Sequence, residues 1–514
     1  MNGSWLIRSG LLLALMVGAA TTPVQAREKS SSLPNIILVM PDDIGYGDFS
    51  VNGNPIIKTP HVDAFARQSV RLTNFHVSPT CAPTRAALMT GRHEFKSGVT
   101  HTIMERERLS LNATTLAQML RKKGYVNGIF GKWHLGDEDA YQPDRRGFDE
   151  AFIHGAGGIG QTYPGSCGDA PGNTYFNPAI LHNGTFVKTK GYCTDLFFQQ
   201  ALTWIDEKRA GEQPFFAYIT PNAAHTPLQC PEDYAKRHAD QVPQDVAKFY
   251  GMIENIDDNF GKLLEALKTW ELENQTLVIF MTDNGGTIGT SVFNAGMRGK
   301  KVTPYEGGTR VPAYWRFPKH FAEGSESHAL TAQIDLFPTL AELVGVPLDG
   351  PLQTQVEGRS FLPLLKNPAA EWPDRTLVTH VGRWPRGQAK QAKHTNSSIR
   401  DQRFALVNDQ ELFDLKADPG QSKNVIDEHP EEVARLRQAY DRWWQEVLPC
   451  LENEEVVGPK VNPYKARYWK QFGGGPDEAL SIQMDPARAP EKKAQRKSKT
   501  ANAPARKDQL MKQK

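Results

Sequence analysis

The sequence lacks several features that would have narrowed its role at once. Its 514 residues carry a formal net charge of only +2, so no global field draws it to nucleic acid or to an anionic membrane. Even that excess is concentrated in the last thirty residues, which leaves the body of the chain nearer neutral or acidic. Beyond the N-terminus no stretch reaches the about 18 apolar residues of a membrane span, which excludes stable membrane insertion. Cysteine is scarce, with only Cys81, Cys167, Cys193, Cys230 and Cys450. Internal repeats are absent.

What is present begins with a targeting segment. Arg8 precedes an apolar run over residues 11–20, and Val24-Gln25-Ala26 puts small residues at the usual cleavage positions. Residues 1–26 are expected to be a signal peptide, with the mature chain starting near Arg27 and exported to the periplasm or secreted. No cysteine closely follows the run, which argues against a lipid-anchored lipoprotein. In an exported protein, five cysteines leave at least one without an intramolecular partner. Cys167 and Cys193 flank a Gly-rich insertion over residues 154–177 and are a candidate staple for it. At the other end, residues 485–514 are crowded with Lys, Arg, Ala and Pro, the composition of a solvated basic tail or of a tether to a polyanion.

The composition, 39% hydrophobic and 23% charged, is that of a soluble globular protein. The length suits a large domain with a lesser companion. Short apolar runs bounded by turn residues predict buried strands at 36–40, 126–130, 215–220 and 277–281. Helical patterns lie between them, as at 112–123 and 246–270. This alternation predicts an α/β fold over residues 27–355, with a large, mostly parallel central sheet flanked by helices. After about residue 355 the character changes. A hairpin over 403–407 and 411–415 and an amphipathic helix over 431–447 predict a smaller C-terminal α+β subdomain over 356–455.

Each strand-like run ends in chemically capable residues. Pro41-Asp42-Asp43 follows the first, Gly131-Lys132-Trp133-His134 the second, Pro221-Asn222-Ala223-Ala224-His225 the third and Thr282-Asp283-Asn284 the fourth. Ligands bind beyond the carboxyl ends of strands in open α/β sheets, so carboxylates, histidines and a lysine are expected on one rim. A separate segment, Cys81-Ala82-Pro83-Thr84-Arg85, opens a short predicted helix closed by Gly91. A helix N-terminus with Arg85 one turn on favours an anion there.

The run over residues 81–92, with Cys-x-Pro-x-Arg and a trailing Thr-Gly-Arg, resembles the sulfatase signature. Cysteine phosphatases need a longer spacing between Cys and Arg than the three residues found here. Asn35-Ile36-Ile37-Leu38-Val39-Met40-Pro41-Asp42-Asp43, Gly131-Lys132-Trp133-His134-Leu135-Gly136, Thr282-Asp283-Asn284-Gly285 and Tyr305-Glu306-Gly307-Gly308-Thr309-Arg310 resemble further landmarks of that family, in its order over roughly residues 33–450. The likeness is to bacterial arylsulfatase-like members of the alkaline-phosphatase-like superfamily.

The resemblance implies that a maturation enzyme oxidises Cys81 to formylglycine, which is hydrated to a geminal diol. It implies one Ca²⁺ ion held by Asp42, Asp43, Asp283, Asn284 and the residue at Cys81. Oxygen donors of this kind suit Ca²⁺ or Mg²⁺ rather than zinc. Asp283 is a candidate to take the nucleophile's proton, and Arg85 and Lys132 to stabilise developing charge. His225 and Lys301 are candidates to assist the leaving oxygen, Lys301 being chosen over Lys300 by counting back four residues from Tyr305. His134 would then deprotonate the second diol hydroxyl so that sulfate is eliminated. His380 and the Gly-rich insertion are candidate pocket walls.

The expected substrate is a sulfate monoester, a sulfated carbohydrate in nature and an arylsulfate in assay. Two rivals remain. A phosphonate monoester or phosphodiester hydrolase of the same superfamily would share the motifs. A noncatalytic, calcium-stabilised carbohydrate-binding protein would lack catalytic groups, yet Cys81, Arg85, Lys132, His134 and His225 are all present.

Overall fold

A strand that is apolar toward both faces of its sheet needs cover on both, and residues 36–39 of the strand Asn35–Val39 have this character. Ile36, Leu38 and the following Met40 enter one hydrophobic core while Ile37 and Val39 enter a second, as the two-residue period of a strand dictates. The computed structural model describes Met1 and residues 33–161 and 168–475. The rest of the expected signal peptide, Cys167 and the basic tail lie outside the described residues.

Asn35–Val39 lies within a ten-stranded sheet. In order across it stand Ser325–Ser327, Val70–Leu72, Ala313–Arg316, Thr276–Met281, Asn35–Val39, Phe215–Thr220, Val126–Lys132, Glu150–His154, Ala179–His182 and Thr185–Lys188. The central strands, from Thr276–Met281 to Glu150–His154, are all parallel. Antiparallel pairing is confined to the two margins. The large, mostly parallel sheet expected from the alternating pattern is therefore present, and the four strands read from apolar runs form its centre.

Helices cover both faces. Pro60–Arg67, Cys193–Arg209 and Gln244–Thr269 contribute to one core, and Cys81–Thr90, Leu116–Arg121 and Leu336–Val344 to the other. The helix expected over 112–123 is shorter than its pattern. Thr115 stops it with a reciprocal cap, its Oγ accepting from Gln118 N at 3.1 Å while Gln118 Oε1 accepts from Thr115 N at 2.9 Å. Among the described residues no helix is long and apolar enough to cross a membrane.

A second, antiparallel sheet joins Leu377–His380, Ser397–Arg400, Phe404–Val407 and Glu411–Asp414 in that order. The helix Pro430–Val447 lies on it, burying Leu436, Tyr440 and Trp444 with Ile399, Leu406 and Leu412. Phe95 from the larger part sits in the same core, and the pairs Arg400–Glu306 and Arg375–Asp335 also join the two parts. His380 is buried in this core, stacked on Trp444 and edge-on to Trp384. It donates from Nε2 to Ala392 O at 3.0 Å and accepts from Gly382 N at 2.9 Å. His380 is thus a satisfied core histidine and lines no substrate pocket, contrary to the expectation above. Cys193 is likewise a free, buried thiol with no disulfide, so the expected staple is not made at that end.

Candidate active site

Parallel registration sets the strand ends level: Val39 stands opposite both Ile219 and Phe280, and Phe130 opposite Ile219. The four polar segments therefore emerge at one rim, as the strand-end pattern predicts. Asp42 is locked to the neighbouring strand end, its N–H donating to Ala223 O at 3.0 Å and its carbonyl accepting from Ala224 N at 2.7 Å. Asp43 adopts φ 63°, a left-handed conformation that Asp tolerates better than most residues. This turn carries it toward the fourth segment. Its N–H donates to Asp283 Oδ1 at 3.2 Å, and its Oδ1 accepts from Asn284 Nδ2 at 3.1 Å.

Cys81 is the first residue of the helix Cys81–Thr90, which closes on Gly91 at φ 70°. It is buried, and Asp42, Cys81 and Asp283 offer ligand atoms all within 4.8 Å of one another. Arg85, one turn along, is fully buried. Its Nη2 and Nε donate to Asp283 Oδ2 at 2.7 and 3.2 Å, and its Nη1 to Lys132 O at 2.9 Å and to Thr220 Oγ1. Its charge acts on the site by fixing Asp283. Lys132 Nζ pairs with Asp42, and Lys301 Nζ with Asp43. Lys300, the competing lysine, is exposed.

The histidines stand on either side. His134, at φ 60°, donates from Nε2 to Thr102 O at 2.8 Å, with Glu107 Oε2 at 3.5 Å behind the same nitrogen. Its Nδ1 is buried and has no hydrogen-bond partner. His225 donates from Nδ1 to Thr226 O at 2.6 Å, which turns Nε2 toward Asp43 Oδ2 at 3.7 Å. The described part of the Gly-rich insertion passes over both rings. A Cβ on Gly157 would lie 2.8 Å from His134 Cε1, and Gln161 Nε2 is 3.3 Å from His225 Nδ1. The residues named from the sequence as catalytic or metal-binding candidates thus gather in this one cluster, and His380 does not join them.

Thr102, Glu107 and Gln161 were not legible in the sequence. Thr102 and Glu107 come from a segment without periodicity or motif, Gln161 is one residue of the Gly-rich insertion with nothing to single it out, and only the tertiary fold sets them beside the histidines.

Burial dominates the electrostatics. It pushes Asp42 up to about 6 against the pull of Lys132, and Asp283, with Asp42 nearby, up to about 6 despite Arg85. Burial would raise Asp43 too, but Lys301 and His225 outweigh it and hold it below the carboxylate range. The Cys81 thiol, raised by burial alone, is drawn below its ordinary value by Lys132 and Lys301. Burial and Lys132 keep His134 neutral, well below its usual range.

Several carboxylates crowded in a dry site call for a cation. Asp42 Oδ1 and Asn284 Oδ1 are buried with no hydrogen-bond partner, two oxygens left available where a hard ion would sit. The donor set Asp42, Asp43, Asp283 and Asn284 fits a Ca²⁺-type ion.

Comparison with known proteins agrees with this geometry. The sulfatase family model matches residues 34–346, and the model of the N-sulphoglucosamine sulphohydrolase C-terminal region matches residues 296–442. The mouse N-acetylgalactosamine-6-sulfatase is 31% identical over 78% of this chain and 78% of its own length. Human arylsulfatase A is 30% identical over 93% of this chain and 96% of its own. The crystal structure of Ps i-CgsB in complex with k-i-k-neocarrahexaose superposes with a TM-score of 0.71 at 26% identity, covering 87% of this chain and 99% of that one. The chain belongs to the sulfatase family and is a sulfuric ester hydrolase.

Proposed function

We propose that this chain hydrolyses sulfate monoesters of exported or environmental glycans through a formylglycine made from Cys81, beside one Ca²⁺ ion held by Asp42, Asp43, Asp283 and Asn284. The observation that carries this reading is the meeting of Asp42, Cys81 and Asp283 within 4.8 Å at a buried helix N-terminus. The hydrated aldehyde would supply the attacking oxygen and release sulfate by elimination, without a second attack by water. The ion would lower the pKa of that oxygen and draw charge from the sulfate.

The remaining work falls to the chain's own side chains. Arg85 orients Asp283, whose carboxylate takes the proton of the attacking hydroxyl. Lys132 and Lys301 offset the negative charge that builds on the sulfate oxygens. Lys301 carries the proton offered to the leaving oxygen, with His225 Nε2 turned toward the same side of the site. His134 has Nε2–H committed to Thr102 O, so Nδ1 is the base that restores the aldehyde. A glycan substrate is supported by the sugar-directed names of the relatives and by the neocarrahexaose bound to Ps i-CgsB. A signal peptide over residues 1–26 would deliver the enzyme to the periplasm or the medium, with a maturation enzyme acting on Cys81 in the host.

Mass spectrometry of the tryptic peptide 72–85 from the native host tests the nucleophile. The expected result is the aldehyde at Cys81. An unmodified thiol in every copy of active enzyme would overturn the mechanism. Turnover of matched sulfate and phosphodiester esters tests the reaction, with the sulfate ester expected to be preferred.

A further inference from the structure

Arg106, Arg108, Arg383 and Arg386 gather where residues 100–108 meet the loop after the strand Leu377–His380. Arg106 pairs with Glu454 at 3.2 Å, Arg108 with Glu138, and Arg386 with Glu105 at 2.8 Å. Arg383 differs. Among the described residues it has no carboxylate partner, its Nη2 donates to Thr102 Oγ1 at 2.8 Å, and its Nε is buried with no hydrogen-bond partner.

Its position is fixed by unusual backbone. Gly382 and Arg383 have φ of 66° and 60° in succession, a conformation that costs free energy for Arg. The turn presses this loop onto the catalytic domain, where Arg383 N donates to Thr100 O at 3.0 Å. A Cβ on Gly382 would lie 2.1 Å from that same oxygen, so the close approach needs glycine. The residue that holds the Arg383 guanidinium, Thr102, is the one whose carbonyl accepts from His134 Nε2. A single residue therefore separates this cation from the candidate base. His101, half-buried beside it, is pushed down to about 3 by burial and by Arg106 and Arg383, and so offers a neutral imidazole.

We propose that Arg383, with His101 alongside, is a subsite for a second anionic substituent of the glycan, a carboxylate or a further sulfate near the ester being cleaved. The inference rests on the sulfatase reading and narrows its substrate class from sulfated glycans to polyanionic ones. A half-buried guanidinium with no carboxylate partner among the described residues is suited to planar, forked recognition of an oxyanion. Its neighbours are already spent on internal carboxylates.

The test compares kcat/KM of matured enzyme on a neutral monosulfated disaccharide, a monosulfated disaccharide containing a uronate, a disulfated disaccharide and 4-nitrophenyl sulfate. The wild type is expected to prefer one of the doubly charged sugars over the neutral one by about tenfold, largely through KM. Preference for the uronate assigns a carboxylate, and preference for the disulfated sugar assigns a sulfate. Arg383→Gln should abolish that preference, Arg383→Lys should keep part of it, and Arg386→Gln, at a paired arginine, should leave the ratio unchanged. Thermal melts identify any variant that fails to fold, and the Lys variant then carries the comparison. A wild type with no preference, or a preference that survives both Arg383 variants, overturns the subsite while leaving the sulfatase reading intact. Absence of sulfate release from every ester, 4-nitrophenyl sulfate included, overturns the reading and the subsite together.

Discussion

Asp283 accepts two hydrogen bonds from Arg85 on one oxygen and the N–H of Asp43 on the other, all within a dry interior. Replacing it therefore acts on charge balance as much as on ligation. Asp283→Asn should destabilise the fold by about 3 kcal/mol, because the buried Arg85 loses its counter-charge, and should remove measurable turnover. Chemical denaturation and an ester assay on the same preparation check both. The two adjacent lysines make a sharper contrast. Lys301 reaches Asp43 while Lys300 points to solvent. Lys301→Ala should cost about a hundredfold in kcat, and Lys300→Ala should change kcat by less than about twofold. Equal losses from both would remove Lys301 from the mechanism.

At the scale of elements, the rim depends on strand ends that are level and close. Gly131, at φ 122° between two parallel neighbours, allows the strand Val126–Lys132 to approach Phe215–Thr220, since a Cβ there would lie 2.1 Å from Thr220 O. Gly131→Ala should cost about 2 kcal/mol or more in stability and displace Lys132, the next residue. A lowered melting temperature accompanied by lost turnover is the expected pair. In the C-terminal element, burial lowers His380 from 6.5 to about 4. The folded state then resists a proton that the unfolded chain accepts. Stability from this residue is full above pH 6.5 and declines as pH falls from 6.5 toward 4, by about 3 kcal/mol in total. Melting curves across that range should show a shallower acid loss for His380→Gln than for the wild type. Identical slopes would assign the loss to other groups.

For the whole molecule, the carboxylate cluster sits at the junction of the strands that form the centre of the sheet. Binding of the proposed Ca²⁺ there would be coupled to the stability of the larger domain. Saturation at a hundred times the dissociation constant should add about 3 kcal/mol. Chelation should lower the melting temperature and abolish turnover together, and restored Ca²⁺ should return both. A melting temperature indifferent to chelation would sink the proposed ion site. The C-terminal sheet shares a core with the larger domain through Phe95, so the two parts should unfold in one transition. This coupling holds the Arg383 loop against the site.

Much of this molecule could be read from its residues in order. Unbroken apolar runs such as Phe215–Thr220 can be buried only in a sheet covered on both sides, and polar residues after each run can lie only at its ends. Cys81, Pro83, Arg85 and Gly91 lie close enough in the chain to define their helix locally. What sequence order could not supply was the pairing of segments distant along the chain. His380 has the same residue type and setting as a pocket histidine, and only the packing of Trp384 and Trp444 around it makes it core. Thr102 and Glu107 have no local signature, and the fold alone brings them to His134. The proposed catalytic residues were legible because catalysis demands particular side chains at particular strand ends. Those that orient them were decided by tertiary structure, because orientation depends on contacts between parts of the chain that sequence order keeps apart.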